Sequence, residues 1–212
     1  MQGNFKDRPL TPPLKRIESL VKANIVPTVL DLLNKPADDG SYGALLRPVA
    51  NLLWGLVEHP LARESFVNSK GVELFAKALN SKGKDFGRES VAGVLQHLAL
   101  DEKYFDAVAI PEVLSGLVLA CHTLDIHLNR RAIIVLKSFS TNPKCAENLL
   151  ALKAHEWLIP LISSTDSAIA FLASCLIIDI REGSANNRAV VDASGALDVR
   201  LQLEKRTKNR YL

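Results

Sequence analysis

Apolar residues along this chain gather in stretches that read as helix faces, and the most apolar of these return at a nearly constant distance. VANLLWGLV (49–57), VAGVLQHLA (91–99), AIIVLKSFS (132–140) and FLASCLIID (171–179, displaced by one) align without gaps. Leu53, Leu95, Leu136 and Leu176 then fall 42, 41 and 40 residues apart. Each stretch is followed by a short polar segment and a second helical pattern: LARESFVN (61–68), EKYFDAVA (102–109), KCAENLLA (144–151) and NNRAVVDA (186–193). A third begins near GVELF (71–75), IPEVL (110–114), AHEWL (154–158) and GALDV (195–199), with Phe75, Leu114, Leu158 and Val199 as counterparts. No stretch alternates apolar and polar residues for long enough to demand a strand.

A period near forty residues, built from helices alone, is the pattern of stacked units that bury their apolar faces only against one another. Three helices per unit, with Gly or Pro at the turn before the third in three of the four copies, favour the armadillo form over the two-helix HEAT form. The expected fold is an all-α armadillo (ARM/HEAT-like) right-handed helical solenoid of about four to four and a half repeats. Residues 1–15 are expected as an extended, proline-bearing lead-in, 16–203 as the solenoid, and 204–212 as a basic solvated tail. A partial repeat at 16–34 contributes two helices, the second started by Pro27, and KPADDGSYG (35–43) forms a polar loop. Full repeats follow at about 43–80, 86–122, 128–164 and 167–203. Asn142-Pro143 and residues 184–187 are expected helix starts, whereas Gly71 and Gly195 mark stops or turns.

Composition narrows the function classes. A net charge of +3 from 26 basic and 23 acidic residues is too balanced to point to nucleic acid. The apolar runs are much shorter than the roughly 20 residues of a membrane span, and the first residues lack the apolar centre of a secretory signal. Cys121, Cys145 and Cys175 form an odd, widely spaced set that suits neither a disulfide framework nor a zinc site. A cytoplasmic location is the expectation. The histidines make no metal-ligand spacing, and the H-E-x-x-H, G-x-S-x-G, P-loop and dinucleotide-binding patterns are absent. The expectation is therefore a binding protein and not an enzyme: no catalytic residue, no metal and no required cofactor.

For binding, the third helices are expected to line the inner surface, where Glu73, Lys77, Glu112 and Ser115 would meet a peptide or partner helix. Trp157 lies on a third helix, but Leu161 takes the place of the asparagine in the W-x-x-x-N ladder of importin-type solenoids. Arg130 and Arg131, the most basic spot within a first helix, read as a solvated edge.

RESVAGVLQHLAL (88–100), HEWLIPLISSTD (155–166), the following FLASCLIIDI and the later VVDASGAL (190–197) stand in matching order and spacing. In these words the chain resembles the armadillo domain of the SARM family, over roughly residues 49–200. The resemblance implies a regulatory module that binds NMN or NAD as an allosteric ligand and restrains a NAD-cleaving effector domain of the same parent chain. It aligns His97 with a nucleotide-contacting histidine and Arg63 with a pocket arginine. It also puts Arg16 near another basic ligand residue and leaves Trp54 as the candidate aromatic face. The chain departs from the family at Leu100, where a lysine is expected, and at Trp54-Gly55, near which a Glu-Gln pair is missing. The alternative is a generic armadillo scaffold that binds a protein or peptide partner in its concave groove.

Overall fold

The computed structural model describes residues 12–34, 41–81, 87–123, 125–199 and 201. Three short helices open the chain's stack: α1 (Pro12–Lys22), α2 (Ile25–Asn34) and, longer, α3 (Ser41–Leu56). Then come α4 (Pro60–Asn68), α5 (Gly71–Asn80) and α6 (Arg88–Ala99), followed by α7 (Phe105–Val108), α8 (Pro111–Ala120) and α9 (Ile126–Ser140). A fourth set is α10 (Pro143–Ala151), α11 (Ala154–Ile162) and α12 (Ser167–Glu182); α13 (Ala185–Ala193) and helical residues 196–199 begin another. Among the described residues there is no strand, and no helix is long and apolar enough to cross a membrane.

The stacking is nearest-neighbour. Among the long helices, α3 packs on α6, α6 on α9 and α9 on α12, without interruption. Each third helix lies against the long helix that follows it, as α2 on α3, α5 on α6, α8 on α9 and α11 on α12. Physically, the unit is thus α1–α3, repeated as α4–α6, α7–α9 and α10–α12, and the fold is an armadillo-type solenoid of four and a half units. Leu53, Leu95 and Leu136 are fully buried along its axis, with Phe66 edge-on to Phe75 at 5.0 Å beside them. Each such side chain contributes roughly 1.5–3 kcal/mol through burial, and every one depends on the next unit being present.

Local chemistry sets the helix limits. Asp125 Oδ1 accepts from the backbone N–H groups of His127 and Leu128, and Asp166 Oδ1 from those of Ala168 and Ile169. Asn142 and Ser184 cap α10 and α13 in the same way, as expected from their positions. Except between α7 and α8, where Ala109 and Ile110 keep negative φ, the turn between the second and third helix is made by a left-handed residue: Asn24, Lys70 and Lys153, each at φ 58°, and Gly195 at φ 76°. Only the last is a glycine, so three units carry a side chain in a conformation that costs about 1 kcal/mol or more.

Several boundaries differ from the sequence expectation. Helix α1 starts at Pro12, so residues 12–15 are helical and not an extended lead-in. Prolines are tolerated there because the first-turn N–H groups have no helical acceptor. The same freedom puts Pro27 inside the first turn of α2, which starts at Ile25. Ser41, Tyr42 and Gly43, expected in the polar loop, are the first residues of α3. Residues 1–11, 35–40 and the tail 204–212 lie outside the described residues.

Gly71 opens α5, because Lys70 makes the turn. The second helix expected over 102–109 shrinks to α7, since Asp101 Oδ1 accepts from the Lys103 N–H at 3.1 Å and turns the chain, burying Tyr104. The capping aspartates Asp125 and Asp166 stand 41 positions apart, and burial along α9 and α12 superimposes at the same offset. Leu128, Ala132, Leu136 and Phe139 correspond to Ile169, Ala173, Ile177 and Ile180, all buried. The counterpart of Leu136 is therefore Ile177, one residue beyond Leu176.

Candidate functional site

The solvent face of the long helices carries interlocked polar side chains at each unit boundary. Between α3 and α6, Ser90 Oγ meets Asn51 Oδ1. Between α6 and α9, Arg131 Nη1 donates to Gln96 Oε1 at 2.7 Å. Between α9 and α12, Asp179 receives Ser140 Oγ and Lys137 Nζ, each at 2.6 Å, and Arg130 pairs with Asp166.

Trp54, on the first of these long helices, lies across the boundary with the next. A Cβ on Gly93 would come within 2.5 Å of the Trp54 ring, so the ring lies directly on the α6 backbone and only glycine fits beneath it. From the third unit, the Arg131 guanidinium sits 4.8 Å from the ring centroid. Such a cation over an aromatic face is worth about 0.5–1 kcal/mol at a partly exposed site. Trp54 is thereby held half-buried between α6 below and α9 above.

At the nearer end of the long helices, a shallow cleft of about 540 Å³ is lined by Arg63, His97, Leu100, Asp101 and Glu102. Burial, together with Arg63 and Arg131 and against the pull of Glu58, holds the His97 imidazole below its ordinary range. Arg63 comes from α4 but reaches the C-terminal end of α3. Its Nη1 donates to the carbonyls of Val57 at 3.0 Å and Glu58 at 3.3 Å, and its Nε lies 3.0 Å from Asp101 Oδ2. One guanidinium thus joins the end of α3, through two carbonyls left without helical partners, to the turn after α6.

Of the sequence-derived nucleotide residues, Arg63 and His97 share the cleft. Trp54 is tied to them through Arg131, whose charge acts on His97. Arg16 is exposed on α1, outside the cleft's lining. The partner-binding residues fall on the other row: Glu73 and Lys77 on α5, Glu112 and Ser115 on α8. Asn80 joins these helices, donating to the Glu112 carbonyl at 2.7 Å and accepting from Ser115 Oγ at 3.1 Å. Ser115 therefore works within the stack, while Glu73, Lys77 and Glu112 face solvent.

Trp157 is buried, edge-on to His122 at 6.0 Å, and is a core residue. The residues that sequence reasoning missed are Gly93, Gln96 and Glu58, and Arg131, expected on a solvated edge, is instead half-buried against Gln96 and Trp54. Gly93 was the available signal, because a glycine inside an apolar helix costs about 1 kcal/mol unless something must approach closely.

No protein-family model matches the sequence, and no curated protein is similar to it. Solved structures do match in fold. A computationally designed armadillo repeat protein for modular peptide recognition superimposes with TM-score 0.77 at 15% identity, over 90% of this chain and 79% of that one. A designed armadillo repeat protein in complex with the peptide (KR)4 gives 0.73 at 13% identity, over 88% and 77%. An engineered protein from the Northeast Structural Genomics Consortium gives 0.77 at 21% identity, over 89% of this chain and 45% of its own length. At these identities the likeness defines the architecture: an armadillo-type helical solenoid. Two of these neighbours are named for peptide binding or peptide recognition.

Proposed function

We propose that the chain is a binding scaffold without catalysis of its own, and that its long-helix face holds a polypeptide partner. The observation that carries this reading is Trp54, an aromatic surface fixed between the Gly93 backbone and Arg131 on the row where successive units interlock. A side chain that is already ordered binds without a further entropy cost, which is what a recognition platform needs. Arg131 against the ring, with His97 and Glu58 close enough for their charges to couple, supplies both signs of charge for orienting a bound segment. The designed peptide-recognising neighbours support the same class of ligand.

The test is a peptide-library selection against the chain, with hits re-measured on Trp54→Ala, Arg131→Ala and the pair Glu73→Ala with Lys77→Ala. Binding weakened at least about tenfold by the first two and unchanged by the third supports the long-helix face. The opposite pattern moves the partner to the third-helix row, and indifference to all of them removes the groove reading.

A finer, second reading follows from the SARM-type resemblance: NMN or NAD bound near Arg63, His97 and Trp54 regulates an effector domain of the same parent chain. The shared cleft of Arg63 and His97 supports it. In this reading a phosphate competes with Asp101 and two carbonyls for the Arg63 guanidinium. Ligand at a hundredfold above its Kd stabilises a folded protein by about 2.7 kcal/mol, a readily visible rise in melting temperature. Unchanged melting in millimolar NMN and NAD eliminates it.

A further inference from the structure

Cations that lie partly inside this fold are mostly neutralised within it. Arg63 meets Asp101, Lys137 meets Asp179, and Arg181 meets Asp192 and Glu182. Arg131 is half-buried as well, yet uncharged groups hold it: the Gln96 amide oxygen at 2.7 Å and the Trp54 ring, its centroid 4.8 Å away. Among the described residues no carboxylate pairs with it. The repeat register shows what is different at this boundary. At the offset of 41 residues that superimposes α9 on α12, Asp179 corresponds to Ser138, and one step of the same size takes Lys137 back to Gln96. The boundary between α9 and α12 is therefore closed by a cation and a carboxylate. The boundary between α6 and α9 has an amide and a hydroxyl in those places, and the charge of Arg131 in addition. The Ser138 hydroxyl turns back on its own helix, donating to the Ile134 carbonyl at 3.2 Å.

We propose that Arg131 is the recognition point for one acidic side chain, aspartate or glutamate, in a polypeptide segment lying along the long helices. The inference rests on the reading of that face as the partner's seat and adds the chemistry of what is bound. A carboxylate arriving at Arg63, Lys137 or Arg181 has to displace one already there, whereas at Arg131 it displaces only water. Contact with Trp54 and the bond to Gln96 fix the guanidinium beforehand, so little side-chain freedom is lost on binding. One N–H of the fork goes to Gln96, and the others are left for paired bonds to a carboxylate. The long helices continue to either side, α3 and α6 before Arg131 and α12 after it. A segment following them crosses Arg131 in mid-course, so the carboxylate is a side chain and not a chain end. A single acid is wanted, because packed helices stand about 8–10 Å apart, roughly three extended residues, and at the next boundary Lys137 already has Asp179.

The test is selection of a random library of peptides of about twelve residues, long enough to cross the described units, against the 212-residue chain. Hits are re-measured by fluorescence anisotropy. They should share Asp or Glu at one aligned position. Replacing that residue by Asn or Gln in the peptide should weaken binding at least about tenfold. On Arg131→Gln the same peptide change should matter by less than about twofold. In the parent chain, the Arg131 Nε–H resonance should move with the acidic peptide and stay in place with its amide counterpart, a reading that needs no variant of the protein.

Hits that require Trp54 but share no acid, or that carry Lys or Arg at the aligned position, overturn the proposal and leave the long-helix seat standing. So does an acid whose removal costs as much on Arg131→Gln as on the parent, since another cation then reads it. Hits without an acid, together with a rise in melting temperature in millimolar NMN that Arg131→Gln cancels, give the guanidinium to a phosphate. An absence of hits, or hits indifferent to both Trp54→Ala and Arg131→Gln, removes the seat and the proposal with it.

Discussion

Replacing Arg63 by alanine separates two roles for the same side chain. Its guanidinium bonds the carbonyls of Val57 and Glu58 and pairs with Asp101, and the side chain is only 16% exposed. A hydrogen bond with a charged partner is worth about 1.5–3 kcal/mol, and a partly exposed ion pair about 1 kcal/mol or less. These contributions overlap, because one group makes all three contacts, and water replaces part of what is lost. A net loss of about 2–3 kcal/mol results.

For a chain of this size each kcal/mol moves the melting midpoint by about 2–4 °C, so Arg63→Ala should melt roughly 5–10 °C lower by scanning calorimetry. Arg63→Lys should recover little, since an ammonium cannot serve two carbonyls and a carboxylate in a planar fork. A cycle with Asp101→Asn should show a coupling of about 0.5–1.5 kcal/mol. If Arg63→Ala melts within about 1 °C of the parent, the structural clamp is refuted. Should it also abolish a shift caused by NMN, the guanidinium belongs to the ligand instead.

Gly93→Ala puts a methyl where the Trp54 ring lies, and the ring must swing outward; quenching of tryptophan fluorescence by iodide should rise, with buried Trp157 as the insensitive reference. Leu95→Ala and Leu136→Ala, at fully buried positions, should each cost about 2–5 kcal/mol in urea unfolding, and a value below about 1 kcal/mol would deny them a place in the shared core. His97 has its imidazole held low by burial, then by Arg63 and Arg131, against Glu58, so the unfolded chain takes up the proton first. Its contribution is complete above the ordinary value of 6.5 and declines as pH falls from there towards the folded-state value, a slope that His97→Gln should flatten. Asn187, buried, donating to the Ile180 carbonyl at 2.8 Å and accepting from the Ser184 hydroxyl at 3.0 Å, should cost about 1–3 kcal/mol on truncation to alanine, seen as faster amide exchange in α13.

The architecture was legible in the sequence because each unit buries one apolar row, and the row recurs at Leu53, Leu95 and Leu136. The α12 register was not, since FLASCLIIDI is apolar at almost every position and a 3.6-residue period cannot single out one row within it. The pair of capping aspartates, Asp125 and Asp166, carries that information instead. Helix α7 was overestimated because a side-chain-to-backbone bond from Asp101 ends the pattern that composition continues. At the site, Arg63 and His97 were singled out by the family resemblance and not by any pattern of their own. The Arg131 contact with Trp54 was not foreseen, because it joins α9 to α3 across an intervening helix and leaves no trace in local spacing.

The agreement of α9 and α12 at an offset of 41 residues also bears on how such a chain changes over generations. Excising residues 126–166 would leave Asp125 directly before Ser167, with the helix start intact and Ile177 delivered to the place vacated by Leu136. A gene encoding this kind of polypeptide can gain or shed a whole module by unequal crossing-over and still yield a folded product. The length of such a solenoid is therefore heritable, adjustable in single steps.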